Sequence, residues 1–334
     1  MSGNATARFV RSVAGDLPAE SLHHVDCHDH LFLDLGCSVP NRGEMLLDSE
    51  EETLDELSAF RAAGGGGVLC ATPIALGRRP AALSQVSNSS GVPVIASGGF
   101  HKSAYYPPDH WVQRYPLVTV AELVHEDATL GIDAYDYAGP RVERTEIRPG
   151  VLKAGADFWR LAGREADLHR IVAEVAFAIG LPVILHIEHG ADPHPALDVI
   201  ASTGLELDRV LVSHLDRTPD AELHASVAAR GAYLVYDGLY RERYRPVGVL
   251  LDVIESLASR GHLDQLLLGG DLASRKLRRV AGAPGVAGLL TVLAPRIRAR
   301  LGDEVLEQLL TSNPRRALAL GQVRSTIARK EPGA

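Results

Sequence analysis

Residues 165–186 read EADLHRIVAEVAFAIGLPVILH. From Glu165 to Ile179 apolar residues recur at helical spacing, Gly180 stops the run, and Pro182 to His186 is apolar until a histidine closes it. A periodic helix, a glycine stop and a short continuous apolar run mark one α/β unit whose strand is buried on both faces. The same cadence recurs along the chain. Upstream lie candidate strands at Val25 to Leu31, Gly67 to Ala71 (GVLCA), Val92 to Ser97 (VPVIAS) and Gly150 to Lys153 (GVLK); downstream lie Val210 to His214 (VLVSH), Ala232 to Tyr236 (AYLVY) and Gln265 to Gly269 (QLLLG). Helical patterns run from Glu51 to Ala63 through Leu54, Leu57 and Phe60, from Pro219 to Arg230 behind a capping Thr218, and from Arg245 to Arg260 before Gly261. Strand and helix alternate, which calls for parallel strands with crossover helices. About eight such units in a chain of this length predict an α/β fold of the TIM-barrel, (β/α)8, kind rather than an open doubly wound sheet. No linker or short repeat divides the chain, so residues 1–334 read as one domain with a barrel core at about 20–320.

Composition narrows the function classes. Of 334 residues 46% are hydrophobic, which is enough for a large core and excludes disorder as the main state. No run of about 18 apolar residues provides a membrane span. Asp and Glu number 42 against 34 Lys and Arg, a net charge of −8, and such a surface repels a phosphate backbone, so nucleic acid is not an expected partner. Cys27, Cys37 and Cys70 are odd in number and lack CxxC spacing, and Met1 to Gly15 lacks the pattern of a signal peptide. A reduced, cytoplasmic setting is the expectation.

The chemistry concentrates where strands end. His28 and His30 flank Asp29 at the end of the first strand, and residues two apart on a strand face one side, so both imidazoles could reach one metal. Alone, the pair reads as readily as two solvated histidines, as His23 and His24 do. But His186 closes the fifth strand, His214 the sixth, and Asp271 follows the eighth in LLLGGD. Taken singly, each is a hydrogen-bonded histidine or a capping aspartate. Four histidines and one aspartate at matching strand ends are better satisfied by a shared cation, because burying them unpartnered would cost several kcal/mol in sum. Lys153 ends the fourth strand, where an ammonium sits poorly beside a cation. Carbamylated by carbon dioxide, it would be an anionic ligand able to bridge two metals; a structural or substrate-binding lysine is the alternative.

This series resembles the phosphotriesterase-like family of the amidohydrolase superfamily. The resemblance covers nearly the whole chain: His28-Asp-His30-Leu31, Gly98-Gly-Phe-His101 with its Tyr-Tyr-Pro-Pro, Val151-Leu-Lys153, Pro182 to His186, Val212-Ser-His214-Leu-Asp216, Leu268-Gly-Gly-Asp271 and Ser312-Asn-Pro314. It implies a binuclear site at the C-terminal mouth of the barrel. His28, His30 and Asp271 would hold the buried ion and His186 and His214 the exposed one. Carbamylated Lys153 and a hydroxide would bridge them. Zinc is implied, with manganese or cobalt able to substitute. The implied reaction is hydrolysis by that hydroxide, with Asp271 carrying the proton to the leaving group. A homodimer is also a feature of such relatives, though no interface pattern stands out.

The long loops Phe100 to Thr119 and Ala273 to Leu289 would overhang the mouth. They and the loop after the seventh strand supply candidate substrate contacts: His101, Lys102 and Tyr106, Arg241, and Arg275 with Arg278. Basic groups in an acidic protein suit an anionic small molecule, so a sugar lactone, phosphorylated or not, is the leading substrate. Solvated or salt-bridged arginines are the plainer reading of the same residues. Asp237 is followed by Gly238, where lactonases of this family acting on acyl-homoserine lactones carry an arginine. A phosphotriesterase, an amide hydrolase for an N-acyl amino sulfonate, a metal-binding barrel without turnover and a Schiff-base aldolase using Lys153 remain as alternatives.

Overall fold

The computed structural model of the chain describes residues 8–36, 42–158, 161–238 and 246–323. A short antiparallel hairpin, β1 (Phe9–Ser12) and β2 (Gly15–Pro18), precedes eight parallel strands. These are β3 (Val25–Asp29), β4 (Gly67–Cys70), β5 (Val94–Gly99), β6 (Val151–Gly155), β7 (Val183–His186), β8 (Val210–Ser213), β9 (Tyr233–Tyr236) and β10 (Leu266–Leu268). They pair in sequence order from β3 to β10. The ring closes where the backbone N–H groups of Gly270 and Asp271 donate to the His28 carbonyl at 3.0 and 2.8 Å. Gly269 lies at that seam, where a Cβ would come within 2.8 Å of the His28 nitrogen. The (β/α)8 barrel expected from the sequence is the fold observed.

The pleat explains two separate cores. Val25, Cys27, Leu69, Ala71, Ile95, Val151, Ile184, Leu211, Val235 and Leu267 point inward and fill the barrel, so it is a packed interior and not a pore. Alternate residues, among them Val68, Val94, Leu152, Val183, Val212 and Leu234, point outward against the helices. The bottom is closed by Val10 and Leu17 of the hairpin, Leu22, and Ala317 and Leu318 near the end of the described chain.

Helices Glu50–Ala62, Pro80–Ser90, Leu117–Thr129, Arg164–Ile179, His194–Ala201, Ala221–Ala229 and Val247–Ser259 cover the outside, and Ala294–Leu301 follows β10. The helix ending at Ile179 stops on Gly180 at φ 74°, a left-handed turn that glycine enters without strain. The helix expected behind Thr218 starts later. Asp220 caps it, accepting from the N–H groups of Glu222 and Leu223, and the Thr218 hydroxyl accepts instead from Gly190. Among the described residues no helix is long and apolar enough to cross a membrane.

Candidate metal centre

Three acid or base side chains reach the mouth by strand alternation alone. Lys153 is two residues beyond inward-facing Val151, His186 two beyond Ile184, and Asp237 two beyond Val235. The other four need departures from a regular strand. Inward Val25 and Cys27 would make Asp29 the next inward residue, but the β3–β4 pairing shifts register between Asp26 and Asp29, and His28 and His30 turn toward the site. His214 (φ 71°) and Asp271 (φ 47°) are non-glycine residues in the left-handed region, just past the ends of β8 and β10. Such conformations are uncommon and gather at functional sites.

The structure brings these groups into one cluster. The His28 and His30 rings lie 5.5 Å apart, His28 and His214 4.9 Å, and His186 and His214 4.6 Å. Ligand atoms of His28, His214 and Asp271 all fall within 4.8 Å of one another. Asp271 Oδ1 is 3.8 Å from His28 Nε2 and 3.6 Å from His30 Nε2, while its Oδ2 accepts a short hydrogen bond from Arg217. A cavity of about 100 Å³ opens onto the cluster.

Hydrogen bonding fixes which ring nitrogens face inward. Asp237 is fully buried, and its two carboxylate oxygens each lie 2.7 Å from an Nδ1, one of His28 and one of His214. A carboxylate only accepts, so both rings carry their proton on Nδ1 and present the Nε2 lone pair. Thr72 does the same for His30. Its hydroxyl donates to the Phe32 carbonyl at 2.7 Å, so the oxygen accepts from His30 Nδ1 at 2.8 Å. His28 Nε2 is buried with no hydrogen-bond partner. This is how histidine ligands are held before a metal: outer contacts on one nitrogen, a lone pair on the other.

His186 gives the sharpest test of fit. Its Nδ1 lies 2.8 Å from the His214 Nε2 lone pair, and its Nε2 lies 3.2 Å from a Glu188 carboxylate oxygen. Both neighbours are acceptors, so both nitrogens need protons. Yet burial holds the ring's pKa down at about 4, which leaves one proton for two acceptors. A cation received by His214 Nε2 and His186 Nδ1 removes the conflict, and the remaining proton then serves Glu188. The donor set fits a divalent ion bound by nitrogen and oxygen.

Burial dominates the remaining electrostatics. It pushes His101 and His214 well below the ordinary histidine range. It also lowers the Lys153 amine to about 8, against the opposing pull of Asp271 and Asp237. Lys153 is fully buried, and its Nζ donates to the Ala71 carbonyl at 2.9 Å. Glu188 is held down at about 2, first by its hydrogen bond to His186.

The expected substrate contacts separate on inspection. His101 lines the cavity, with its ring 4.4 Å from that of His186. Lys102 is tied to Glu188 by a short ion pair. Tyr106 is buried away from the cavity; its hydroxyl donates to the Ile74 carbonyl and accepts from the His101 N–H, so it braces the loop. Arg278 is also buried and donates to the His30 carbonyl from outside the cavity lining. Arg275 is exposed and paired with Glu52 on the first barrel helix. The mouth position expected for Arg275 and Arg278 fails because the chain after Asp271 turns back across the helix face in short 3₁₀ turns, Arg275–Leu277 and Arg279–Ala281. Arg241 lies outside the described residues.

Several site residues escaped the sequence reading. Asp237 carried the right signal, a polar residue closing the apolar run AYLVY, but its link to two histidines is a matter of space. Arg217 directly extends the His214-Leu-Asp216 motif, and Glu188 follows His186 by two residues. Tyr105, and not its neighbour Tyr106, lines the cavity. Thr72 is one residue beyond the second apolar run.

Comparison with known proteins agrees with this geometry. The model of the Phosphotriesterase family matches residues 9–318. A phospho-furanose lactonase of Mycoplasmopsis synoviae is 27% identical over 330 residues, covering 95% of this chain and 94% of that protein. An N-acetyltaurine hydrolase of Tetraodon nigroviridis is 24% identical, covering 92% of this chain and 96% of the other. The crystal structure of an amidohydrolase from Mycoplasma synoviae superposes with a TM-score of 0.91 at 26% identity, covering 96% of this chain and 94% of that one. Family match, barrel and histidine–aspartate cluster converge: the chain belongs to the phosphotriesterase family.

Proposed function

We propose that the protein is a metal-dependent hydrolase that opens a sugar lactone. His28, His30 and Asp271 would hold one divalent ion and His186 and His214 a second, with Lys153, carbamylated by carbon dioxide, between them. Zinc suits this donor set, and manganese or cobalt would serve. Bound there, the ions supply a nucleophile at neutral pH and a Lewis acid for the substrate carbonyl. The observation that carries the metal reading is geometric: ligand atoms of His28, His214 and Asp271 lie within 4.8 Å of one another, and the buried His28 Nε2 faces them with no hydrogen-bond partner. The lactone reading rests on near full-length similarity to a phospho-furanose lactonase.

The chain's own residues supply the rest. Asp237 and Thr72 fix the imidazole tautomers so that no reorientation is needed on binding. Asp271 moves the proton. Water adds to the carbonyl carbon, the ring C–O bond breaks, and Asp271 passes the proton from the attacking water to the departing ring oxygen. The new acid ionises, so each turnover releases one proton to solvent. Positioned proton transfer of this kind contributes roughly 10²–10⁴ in rate. His101 and Tyr105 wall the cavity where the ring would lie. The free, buried thiols of Cys27 and Cys70 suit a reducing, cytoplasmic setting.

A pH-indicator screen of aldonolactones, with and without phosphate, on metal-replete protein tests the reading. Turnover abolished by a chelator and restored by zinc is expected. The similarity to N-acetyltaurine hydrolases makes an N-acyl amino sulfonate the competing substrate. Faster hydrolysis of that amide than of any lactone would replace lactonase with amidase.

A further inference from the structure

A second cavity, of about 680 Å³, lies beside the catalytic one, and Leu35 and Tyr105 belong to the walls of both. None of the six candidate metal ligands lines it. Its walls come from the loops after β3, β4 and β5 and from the segment that joins helix Leu117–Thr129 to β6. Their chemistry is the reverse of an anion site. Among the described residues no lysine or arginine lines this cavity, while Asp34, Asp109 and Asp136 do, and much of the remaining wall is aromatic, with Trp111, Tyr135 and Tyr137. We propose that this cavity binds a small organic cation, an ammonium group on an apolar frame, at a site separate from the metal centre. Binding there needs neither a lactone nor a bound metal.

Charge and ring faces decide the class of ligand. The face of an aromatic ring is negative and attracts a cation within about 6 Å of its centroid. The wall already does this with the protein's own cations: Arg78 and Arg144 lie 6.0 and 5.5 Å from the Tyr137 centroid, and Lys102 Nζ lies 5.2 Å from that of Tyr105. Trp111 and Tyr135 hold no such cation among the described residues. The carboxylates divide in the same way. Asp136 answers the buried Arg78 guanidinium at 2.6 Å, and Asp34 accepts the Gly36 N–H at 2.9 Å. Asp109 is exposed and makes no hydrogen bond or ion pair among the described residues, so its charge is left for a ligand. Burial holds the His110 imidazole below its ordinary pKa, so that ring adds no positive charge to the wall at neutral pH. The cavity is also preformed. Asp136 Oδ2 accepts from the N–H groups of Gly77 and Arg78 at 3.0 and 3.1 Å, tying the loop after β4 to the segment before β6. The Tyr106 hydroxyl, between the Ile74 carbonyl and the His101 N–H, ties the loops after β4 and β5. Ala75, Asp136 and Tyr137 have left-handed backbones at φ 61°, 50° and 64°, a conformation shared with His214 and Asp271 at the metal centre. A wall fixed in advance lowers the ordering cost of binding.

Choline and benzyltrimethylammonium would be titrated calorimetrically into the metal-replete protein, beside neohexyl alcohol, the uncharged carbon isostere of choline. Saturable binding of both ammonium probes is expected, with choline at least about fivefold tighter than the alcohol. A cation on one aromatic face is worth roughly 3- to 30-fold in affinity, so Trp111→Leu should weaken choline by that factor. Trp111→Phe keeps a ring against Phe100 and should lose less. Asp109→Asn, at an exposed position where folding is not at stake, should weaken choline by about two- to fivefold. Tryptophan emission should change on binding, and the change should vanish in Trp111→Phe, where Trp159 is the remaining tryptophan. Equal affinity for choline and the alcohol would make this a neutral apolar cavity and overturn the proposal. So would failure of both ammonium probes to saturate, native affinity in both Trp111→Phe and Asp109→Asn, or an emission change that survives Trp111→Phe. The same constants are expected after chelation. Affinity that depends on metal would place the probe at the metal centre and overturn the second site, whereas loss of lactone turnover alone would count only against the lactonase reading.

Discussion

Replacing Asp237 with asparagine changes one atom pair and should disturb the metal centre in a calculable way. The native carboxylate accepts from His28 Nδ1 and His214 Nδ1, both at 2.7 Å. An asparagine amide keeps one acceptor and turns the other into a donor. The histidine facing the oxygen keeps its proton on Nδ1. The histidine facing the nitrogen must accept, so its proton moves to Nε2, the atom that should meet the metal. One ligand of the two is therefore lost, whichever way the amide settles. Outer partners of ligating histidines are worth about 10- to 100-fold in metal affinity each, or roughly 1.4–2.7 kcal/mol. Asp237→Asn should thus weaken zinc binding by about 10- to 100-fold, and Asp237→Ala, which frees both rings, by about 10²- to 10⁴-fold. Competition against a chromophoric chelator measures both constants, and thermal melting of the metal-free proteins shows whether the fold persists. Native affinity in Asp237→Asn would refute the tautomer argument, and equal effects of the two variants would refute its count of ligands.

Other tests use different parts of the structure. Asp271→Asn should retain zinc at its histidine ligands while kcat falls by roughly 10²-fold or more, because the proton carrier is gone; near-native turnover would remove Asp271 from that role. Arg78 is fully buried and holds Asp127 and Asp136. Arg78→Met removes the shared guanidinium, leaving Asp127 with Tyr137 and Arg144 and Asp136 with the backbone N–H groups at positions 77 and 78, and should lower the unfolding free energy in urea by about 3–5 kcal/mol. A loss below about 1 kcal/mol would show that water or rearrangement meets them. His169 is 2% exposed, and burial holds it at about 4, below the ordinary 6.5. The unfolded chain therefore binds this proton more readily, so its contribution is whole above pH 6.5 and drains away as pH falls toward 4. The difference amounts to at most about 3 kcal/mol. Denaturation from pH 7.5 to 4 should show a steeper loss in the native protein than in His169→Leu; parallel curves would contradict it.

The barrel was legible because each of its strands is a short apolar run bounded by a helix pattern or glycine, and burial on both faces leaves little choice of composition. The strand-end places of His186, Lys153 and Asp237 were legible for the same reason: a polar residue that closes such a run marks a strand end. The N-terminal hairpin was not, since its strands FVRS and GDLP are only four residues each, too short to show a pattern, and contact of Val10 and Leu17 with the barrel floor holds them there. The register shift in β3 and the left-handed backbones of His214 and Asp271 have no local signature, because tertiary contacts impose them. The basic loops misled for a related reason. Charge is visible in a sequence, but the direction of a loop side chain is not, so Arg275 and Arg278 stood out while Arg217, a single arginine after a histidine motif, did not.

The central claim is that His28, His30, Lys153, His186, His214 and Asp271 hold a pair of divalent ions. Diffraction from zinc-loaded crystals at the zinc absorption edge tests it most directly. The account predicts two anomalous peaks among these six side chains and density for a carbamate continuing from Lys153 Nζ. No peak there, or one ion bound away from His186 and His214, would contradict it.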